Sequence, residues 1–85
     1  MKKNKITEYL IKLLKKKKSI EKKFLKNLNS FNFIDNGHLD SLEIISFNFS
    51  IEKKFKIKFN FKELSSKKYK TISGLSDIIF KKVNR

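Results

Sequence analysis

The apolar residues of this chain recur at the spacing of an α-helix, and this periodicity constrains the fold more than any other feature of the sequence. Near the N-terminus they fall at i, i+3, i+4, i+7 and i+8, namely Ile6, Tyr9, Leu10, Leu13 and Leu14. Such a stripe predicts an amphipathic helix whose apolar face packs on a core. Asn4 is a candidate cap for this helix, and the lysines at its end suit the helix dipole.

A second helical pattern begins at Ser41 and continues to about Lys54. Asp40 precedes it and Glu43 follows three residues after Asp40, which is the spacing of a capping box at a helix start. Two apolar stripes lie on nearly opposite sides of this helix: Ile44, Phe47 and Ile51 on one, and Leu42, Ile45 and Phe49 on the other. A helix that is apolar on two sides packs on two sides. We therefore expect the second stripe to meet another element, a ligand or a partner protein.

The rest of the chain is predicted to contain a loop, a connector and a last helix. Residues 19–39 lose their periodicity after Asn27, and the loop is expected to be pinned to the core by Phe31, Phe33 and Ile34. The run FKIKFNF at 55–61 alternates like a strand. A single strand would have no neighbour to pair with, so an extended connector and a short helix across 61–66 are favoured. The last helix starts at Thr71 or Ser73 and carries the apolar residues Ile72, Leu75, Ile78, Ile79 and Val83.

These patterns together predict one all-α domain spanning residues 1–85. Its architecture is a small four-helix bundle with a long loop between helices 1 and 2 and a short third helix. The residues predicted to be buried are Ile6, Leu10, Leu13, Phe47, Ile51, Ile57 and Ile79.

Composition excludes several kinds of protein. The chain has 85 residues, 39% of them hydrophobic, with no Cys and one His. It therefore has neither a disulfide nor a thiolate metal site, and a zinc site built on histidines is not expected. No apolar run approaches the roughly 20 residues of a membrane span. No signal-peptide pattern follows the basic N-terminus, so a cytoplasmic protein is expected.

Charge is distributed unevenly along the sequence. The net charge is +14, which suggests nucleic acid or an anionic membrane as a partner. However, residues 27–52 contain no Lys or Arg and carry Asp35, Asp40, Glu43 and Glu52. This lysine-free segment has a formal charge of −4 in a chain that is otherwise +18. The segment around Ser41 therefore disfavours positive charge.

The order of these motifs resembles the acyl carrier proteins and the related peptidyl and D-alanyl carrier domains. That family has a helix, a long loop, Asp-Ser-Leu opening a second helix, a short third helix and a fourth helix with a Thr-Ile start. The matching residues here are Asp40-Ser41-Leu42, Glu52 with Phe55 and Ile57, Thr71-Ile72 with Leu75, Ile78 and Ile79, and the preceding loop from Phe33 to Gly37. The resemblance covers nearly the whole chain, and the loop from Phe33 to Gly37 is similar to that of the free-standing type of carrier.

The resemblance implies a carrier that is not itself an enzyme. Ser41 would be esterified by 4′-phosphopantetheine, delivered from coenzyme A by a phosphopantetheinyl transferase, and the arm would carry an acyl or aminoacyl thioester. The implied partners are that transferase and the enzymes that activate or transfer the acyl or aminoacyl group in a specialised pathway. A monomer is expected, without nucleic acid, metal or stable membrane insertion.

The resemblance also implies a docking surface. Acidic residues on the second helix would meet basic patches on partner enzymes, and complementary charge speeds encounter. The residues in reach are Asp35, Asp40, Leu42, Glu43, Ile45 and Glu52. His38 is expected to be a polar loop residue. The alternative function is a basic helical module that binds nucleic acid or an anionic membrane surface, for which base-stacking aromatic residues should lie among exposed lysines.

Overall fold

The computed structural model describes residues 2–84, which form three main helices joined by shorter helical pieces. The α-helices are α1 (Lys3–Lys17), α2 (Lys22–Leu25), α3 (Ser41–Phe55), α4 (Phe61–Ser65) and α5 (Ile72–Val83). Two 3₁₀ turns cover Leu28–Ser30 and Lys67–Lys70. The described residues contain no strand, only one isolated bridge between Asn32 and Thr71. The predicted all-α class is confirmed, and 55–61 is a helix end, a connector and a helix start.

The two ends of the chain pack against each other. The core faces of α1 and α5 are fully buried at Ile6, Leu10, Leu14, Ile72, Leu75 and Ile79. At their polar edge, the hydroxyl groups of Thr7 and Ser76 lie 2.9 Å apart, and Lys3 pairs with Asp77. The buried Ser76 hydroxyl therefore has a partner, so the interface loses no hydrogen bond on burial.

Most of the predicted core is confirmed, with two corrections. Leu13 and Ile57 are only partly buried and pack at the edge of the core. Leu13 lies at the side of the buried stripe formed by Ile6, Leu10 and Leu14. The buried face of α1 is therefore narrower than its apolar pattern predicts. Asn4 is also not the cap of α1, because the helix begins at Lys3 with no side-chain cap on Lys2.

The α1 stripe is not available to a lipid bilayer. Ile6, Leu10 and Leu14 are each 0% exposed inside the domain. Within residues 2–84, no helix has the length and apolar character needed to cross a membrane.

The start of α5 combines a cap with a close backbone approach. Thr71, one of the two predicted starts, is the N-cap residue, and its hydroxyl oxygen accepts the N–H of Gly74 at 3.1 Å. A Cβ added at Gly74 would lie 2.2 Å from the carbonyl oxygen of Lys68 in the preceding 3₁₀ turn. Only glycine therefore lets this turn pack directly on the first turn of α5.

The connector between α3 and α4 is fixed by hydrogen bonds to α3. Lys56 adopts a left-handed conformation with φ 56°, and the next N–H, of Ile57, donates to the Glu52 carbonyl at 3.1 Å. The Glu52 carboxylate accepts the N–H of Phe59 at 2.8 Å. Beside it, Tyr69 donates its hydroxyl proton to Asn48, and burial raises the pKa of Tyr69 well above its usual range. The phenol is therefore neutral and anchors the 3₁₀ turn to α3.

Candidate functional site

Ser41 is the first residue of α3 and lies exposed at the surface. The predicted capping box is confirmed. The Asp40 carboxylate accepts the Glu43 N–H at 2.8 Å, and the Glu43 carboxylate accepts the Asp40 N–H at 2.9 Å. The two neighbours thus complete the cap, and neither of these bonds uses the Ser41 hydroxyl.

The first turn of α3 also keeps backbone donors near Ser41. The N–H of Glu43 bonds to Asp40, and the N–H of Ile44 donates to the Asp40 carbonyl at 2.9 Å. The N–H groups of Ser41 and Leu42 take part in neither bond. Helix N-termini of this kind favour negative charge because their free N–H groups and the helix dipole both point toward it.

The loop that presents Ser41 is anchored immediately upstream. Leu39 is buried, and His38 lies in the loop as expected but is only 5% exposed. The His38 Nε2 donates to the carbonyl of Leu14 at 2.7 Å, and its ring packs edge-on against Phe31. His38 is thus a second donor to the Leu14 carbonyl, which also accepts the Lys18 N–H at 3.2 Å. No local sequence signal announces this contact, because its partner lies 24 residues away.

Asp35 belongs to a compact turn rather than to the start of α3. The side-chain oxygen of Asn32 accepts the N–H groups of Ile34 and Asp35 at 3.1 and 2.7 Å. The carboxylate of Asp35 accepts from the Asn32 amide at 2.9 Å and pairs with Lys70 at 3.2 Å. Much of its charge is therefore already compensated within the domain.

The second apolar stripe of α3 is uncovered. Leu42, Ile45 and Phe49, called here the α3 strip, are 78%, 66% and 65% exposed. The short helix α4 does not cover them, and its own Phe61 is also exposed. Exposed residues that lie singly are ordinary, but three along one helix face form a surface suited to a partner or ligand.

The surface of α3 changes character along its length. Asp40 and Glu43 lie at the Ser41 end, and the α3 strip follows. Beyond it, a groove of about 600 Å³ is lined by Phe49, Glu52, Lys53, Lys56, Ile57 and Lys58. Three lysines outnumber the single carboxylate of Glu52 in this lining, so the net charge at this end of α3 is positive. The structure therefore separates Glu52 from the other acidic residues proposed for docking.

The lysine-free segment is not isolated from lysine in space. The contact between His38 and Leu14 holds the loop before Ser41 against the end of α1, where Lys15 to Lys18 follow. Ser41 follows His38 by three positions, so their Cα atoms lie within about 11 Å of each other. Ser41 and the α1 lysines therefore occupy the same end of the molecule, which the sequence pattern does not reveal.

The candidate site is thus a surface serine beside an exposed apolar strip. Within the described part of the chain, no group of three or more His, Asp or Glu side chains could hold a metal ion. No family model, curated protein or solved structure matches this chain.

Proposed function

We propose that this protein is an acyl or aminoacyl carrier that bears 4′-phosphopantetheine on Ser41. In this proposal α1, α3, α4 and α5 are the four helices of a carrier-type bundle, and residues 18–40 are its long loop. The observation that carries the proposal is an exposed serine at the first position of α3 whose helix cap is completed by Asp40 and Glu43. Ser41 can therefore be modified without loss of the cap.

The residues around Ser41 suit a phosphodiester. A phosphate on Ser41 would lie at the N-terminus of α3. Negative charge is favoured there by the N–H groups of Ser41 and Leu42 and by the positive end of the helix dipole. Because Ser41 is exposed, a transferase can reach its hydroxyl and the arm can extend into solvent. When bound, the arm supplies a thiol that holds the acyl or aminoacyl group as a thioester. The chain itself supplies the attachment oxygen and the surface that partners approach.

The exposed α3 strip supports the same proposal. A carrier must present its cargo to separate enzymes, and Leu42, Ile45 and Phe49 offer an apolar face next to the attachment point. Apolar centres with charged rims are the usual composition of protein interfaces. We propose that the activating and acyl-transferring enzymes contact this strip and that the carrier works as a monomer in the cytoplasm.

Co-expression with a broad-specificity phosphopantetheinyl transferase tests the proposal. We expect the intact mass to increase by one phosphopantetheine and peptide mass spectrometry to place it on Ser41. Ser41→Ala should abolish the increase while melting like the wild type, because the cap does not depend on the hydroxyl. Ser46→Ala, an exposed serine of the same helix, is the matched control and should be modified fully. An unmodified wild type across several transferases, or an arm found elsewhere, refutes the proposal.

The acidic charge at Glu43 should matter for the encounter with the transferase. Glu43→Gln removes one charge but keeps an oxygen that can accept the Asp40 N–H, so the cap is largely retained. We expect it to slow modification severalfold at low salt, and the effect should shrink as screening over about 8–10 Å sets in. Glu8→Gln, an exposed residue lining a groove with Phe55 at the opposite end of α3, removes the same charge and should change the rate little. Equal rates for both variants and the wild type would exclude steering by Glu43.

One observation favours a second candidate function. Phe49 is exposed, and the groove beside it contains Lys53, Lys56 and Lys58. Exposed aromatic rings among lysines bind single-stranded nucleic acid by stacking and phosphate contact. A wild type that no transferase modifies, together with oligonucleotide binding that Phe49→Ala abolishes, would select this function over the carrier.

A further inference from the structure

The surface at the end of α1 is densely and almost uniformly basic. The segment 15–26, called here the basic segment, contains seven lysines: Lys15, Lys16, Lys17, Lys18, Lys22, Lys23 and Lys26. All seven are exposed. Its single acidic residue, Glu21, lies 3.8 Å from Lys23. Little negative charge is therefore available within the segment to compensate its lysines.

The basic segment is held in place by the core. Ile20 is buried between α1 and α2, and the ring of Phe24 packs against that of Phe31 with centroids 4.7 Å apart. Lys18 and Phe24 line the same small depression of about 30 Å³ beside His38. The lysines at the end of α1 and those of α2 are thus presented together at one end of the domain.

An aliphatic side chain protrudes among these lysines. Leu25 is 47% exposed, whereas Phe24 is turned toward Phe31 and is half-buried. Nucleic-acid surfaces that bind single strands use exposed aromatic rings, and the basic segment offers none. Lysines around an exposed aliphatic residue instead suit an anionic bilayer, where charge draws the protein to the headgroups and the apolar side chain enters the interface.

We propose that the basic segment binds the surface of an anionic lipid bilayer. Seven lysines match the clusters of about four to eight basic residues that associate with acidic leaflets. With the basic segment facing the bilayer, the lysine ammonium groups contact lipid phosphates and Leu25 enters the interfacial layer. The proposal does not depend on modification of Ser41. If Ser41 does carry an arm, the contact of His38 with Leu14 keeps that arm at the membrane-facing end of the molecule.

Vesicle co-sedimentation of the unmodified full chain tests the proposal. We expect binding to vesicles of equal phosphatidylcholine and phosphatidylglycerol, and none to phosphatidylcholine alone. The test variant replaces Lys15, Lys16, Lys17 and Lys18 with Gln. The control variant makes the same replacement at the exposed Lys5, Lys62, Lys67 and Lys81. Both lose four positive charges, so a difference between them reports position and not net charge.

The position of the charge should decide the result. The basic-segment variant should lose at least about tenfold in affinity and the control less than about threefold, with melting used to verify that both are folded. Leu25→Ser should reduce the binding that survives at high salt. The proposal is overturned if the two quadruple variants lose the same affinity, or if the wild type binds neutral vesicles. It is also overturned if the protein binds an RNA oligomer but not anionic vesicles.

Discussion

Phe33→Ala should lower the free energy of unfolding by about 3–5 kcal/mol, which is enough to unfold much of a domain this small. Phe33 is 0% exposed and packs against Phe47 and Tyr69 with ring centroids 5.4 and 6.0 Å away. Its N–H also donates to the Lys70 carbonyl at 3.1 Å, so the backbone cannot easily shift to fill the cavity. The loop before Ser41 and the 3₁₀ turn before α5 both rest on this ring.

Denaturant unfolding followed by far-UV circular dichroism measures this loss. Phe61→Ala is the matched control because it removes the same atoms from a residue that is 84% exposed. Its free energy of unfolding should stay within about 0.5 kcal/mol of the wild type. If the two variants lose similar stability, the long loop does not depend on Phe33 for its attachment to the core.

Gly74→Ala should destabilise the domain by about 1–3 kcal/mol, although alanine is the better helix former. In an open helix the change would stabilise by up to about 1 kcal/mol, so the sign of the effect is informative. The new methyl group would meet the Lys68 carbonyl oxygen at 2.2 Å and two further backbone atoms of Lys68 within 2.8 Å. Backbone atoms cannot rotate away as a flexible side chain can.

The second glycine separates this steric cause from a conformational one. A Cβ at Gly37 meets nothing within 4 Å, but the residue has φ +69°, which costs a residue with a side chain about 1–2 kcal/mol. Gly37→Ala should therefore destabilise by that amount without any clash. Thermal melting of Gly74→Ala and Gly37→Ala measures the loss of stability in each. A neutral or stabilising Gly74→Ala would mean that the 3₁₀ turn does not rest on α5.

Local chemistry made the starts of α3 and α5 predictable. Asp40 with Glu43, and Thr71 three residues before Gly74, satisfy N–H groups within one turn, so the sequence spacing is enough to locate these caps. The end of α3 was predicted at about Lys54 and is observed at Phe55. The left-handed conformation of Lys56 that follows was not predicted, because a lysine side chain does not favour it. Burial of Leu13 and Ile57 was overestimated. The periodicity of apolar residues shows which side of a segment is apolar, but it does not show how much of that side the neighbouring helices cover.

The contacts that shape the candidate site join residues far apart in the sequence, and the sequence pattern predicts them less well than it predicts helix caps. The apolar pattern of α3 predicted a second contact face, and Leu42, Ile45 and Phe49 on that face are exposed. The buried position of His38 depends on a carbonyl 24 residues earlier, which no spacing rule reveals. The charge pattern also misled in one respect. A segment without lysine still lies beside lysines of α1, because charge in space depends on which elements pack together.

The pairing of α1 with α5 also bears on how the chain is made. Thr7 and Ser76 are 69 residues apart, yet their hydroxyl groups touch across the central interface. During synthesis Ile6, Leu10 and Leu14 leave the ribosome long before the residues that will bury them. Helix α1 therefore remains an exposed amphipathic segment until α5 has been synthesised, and the domain can close only after that point. A stop codon anywhere before α5 would leave an apolar face with nothing to cover it.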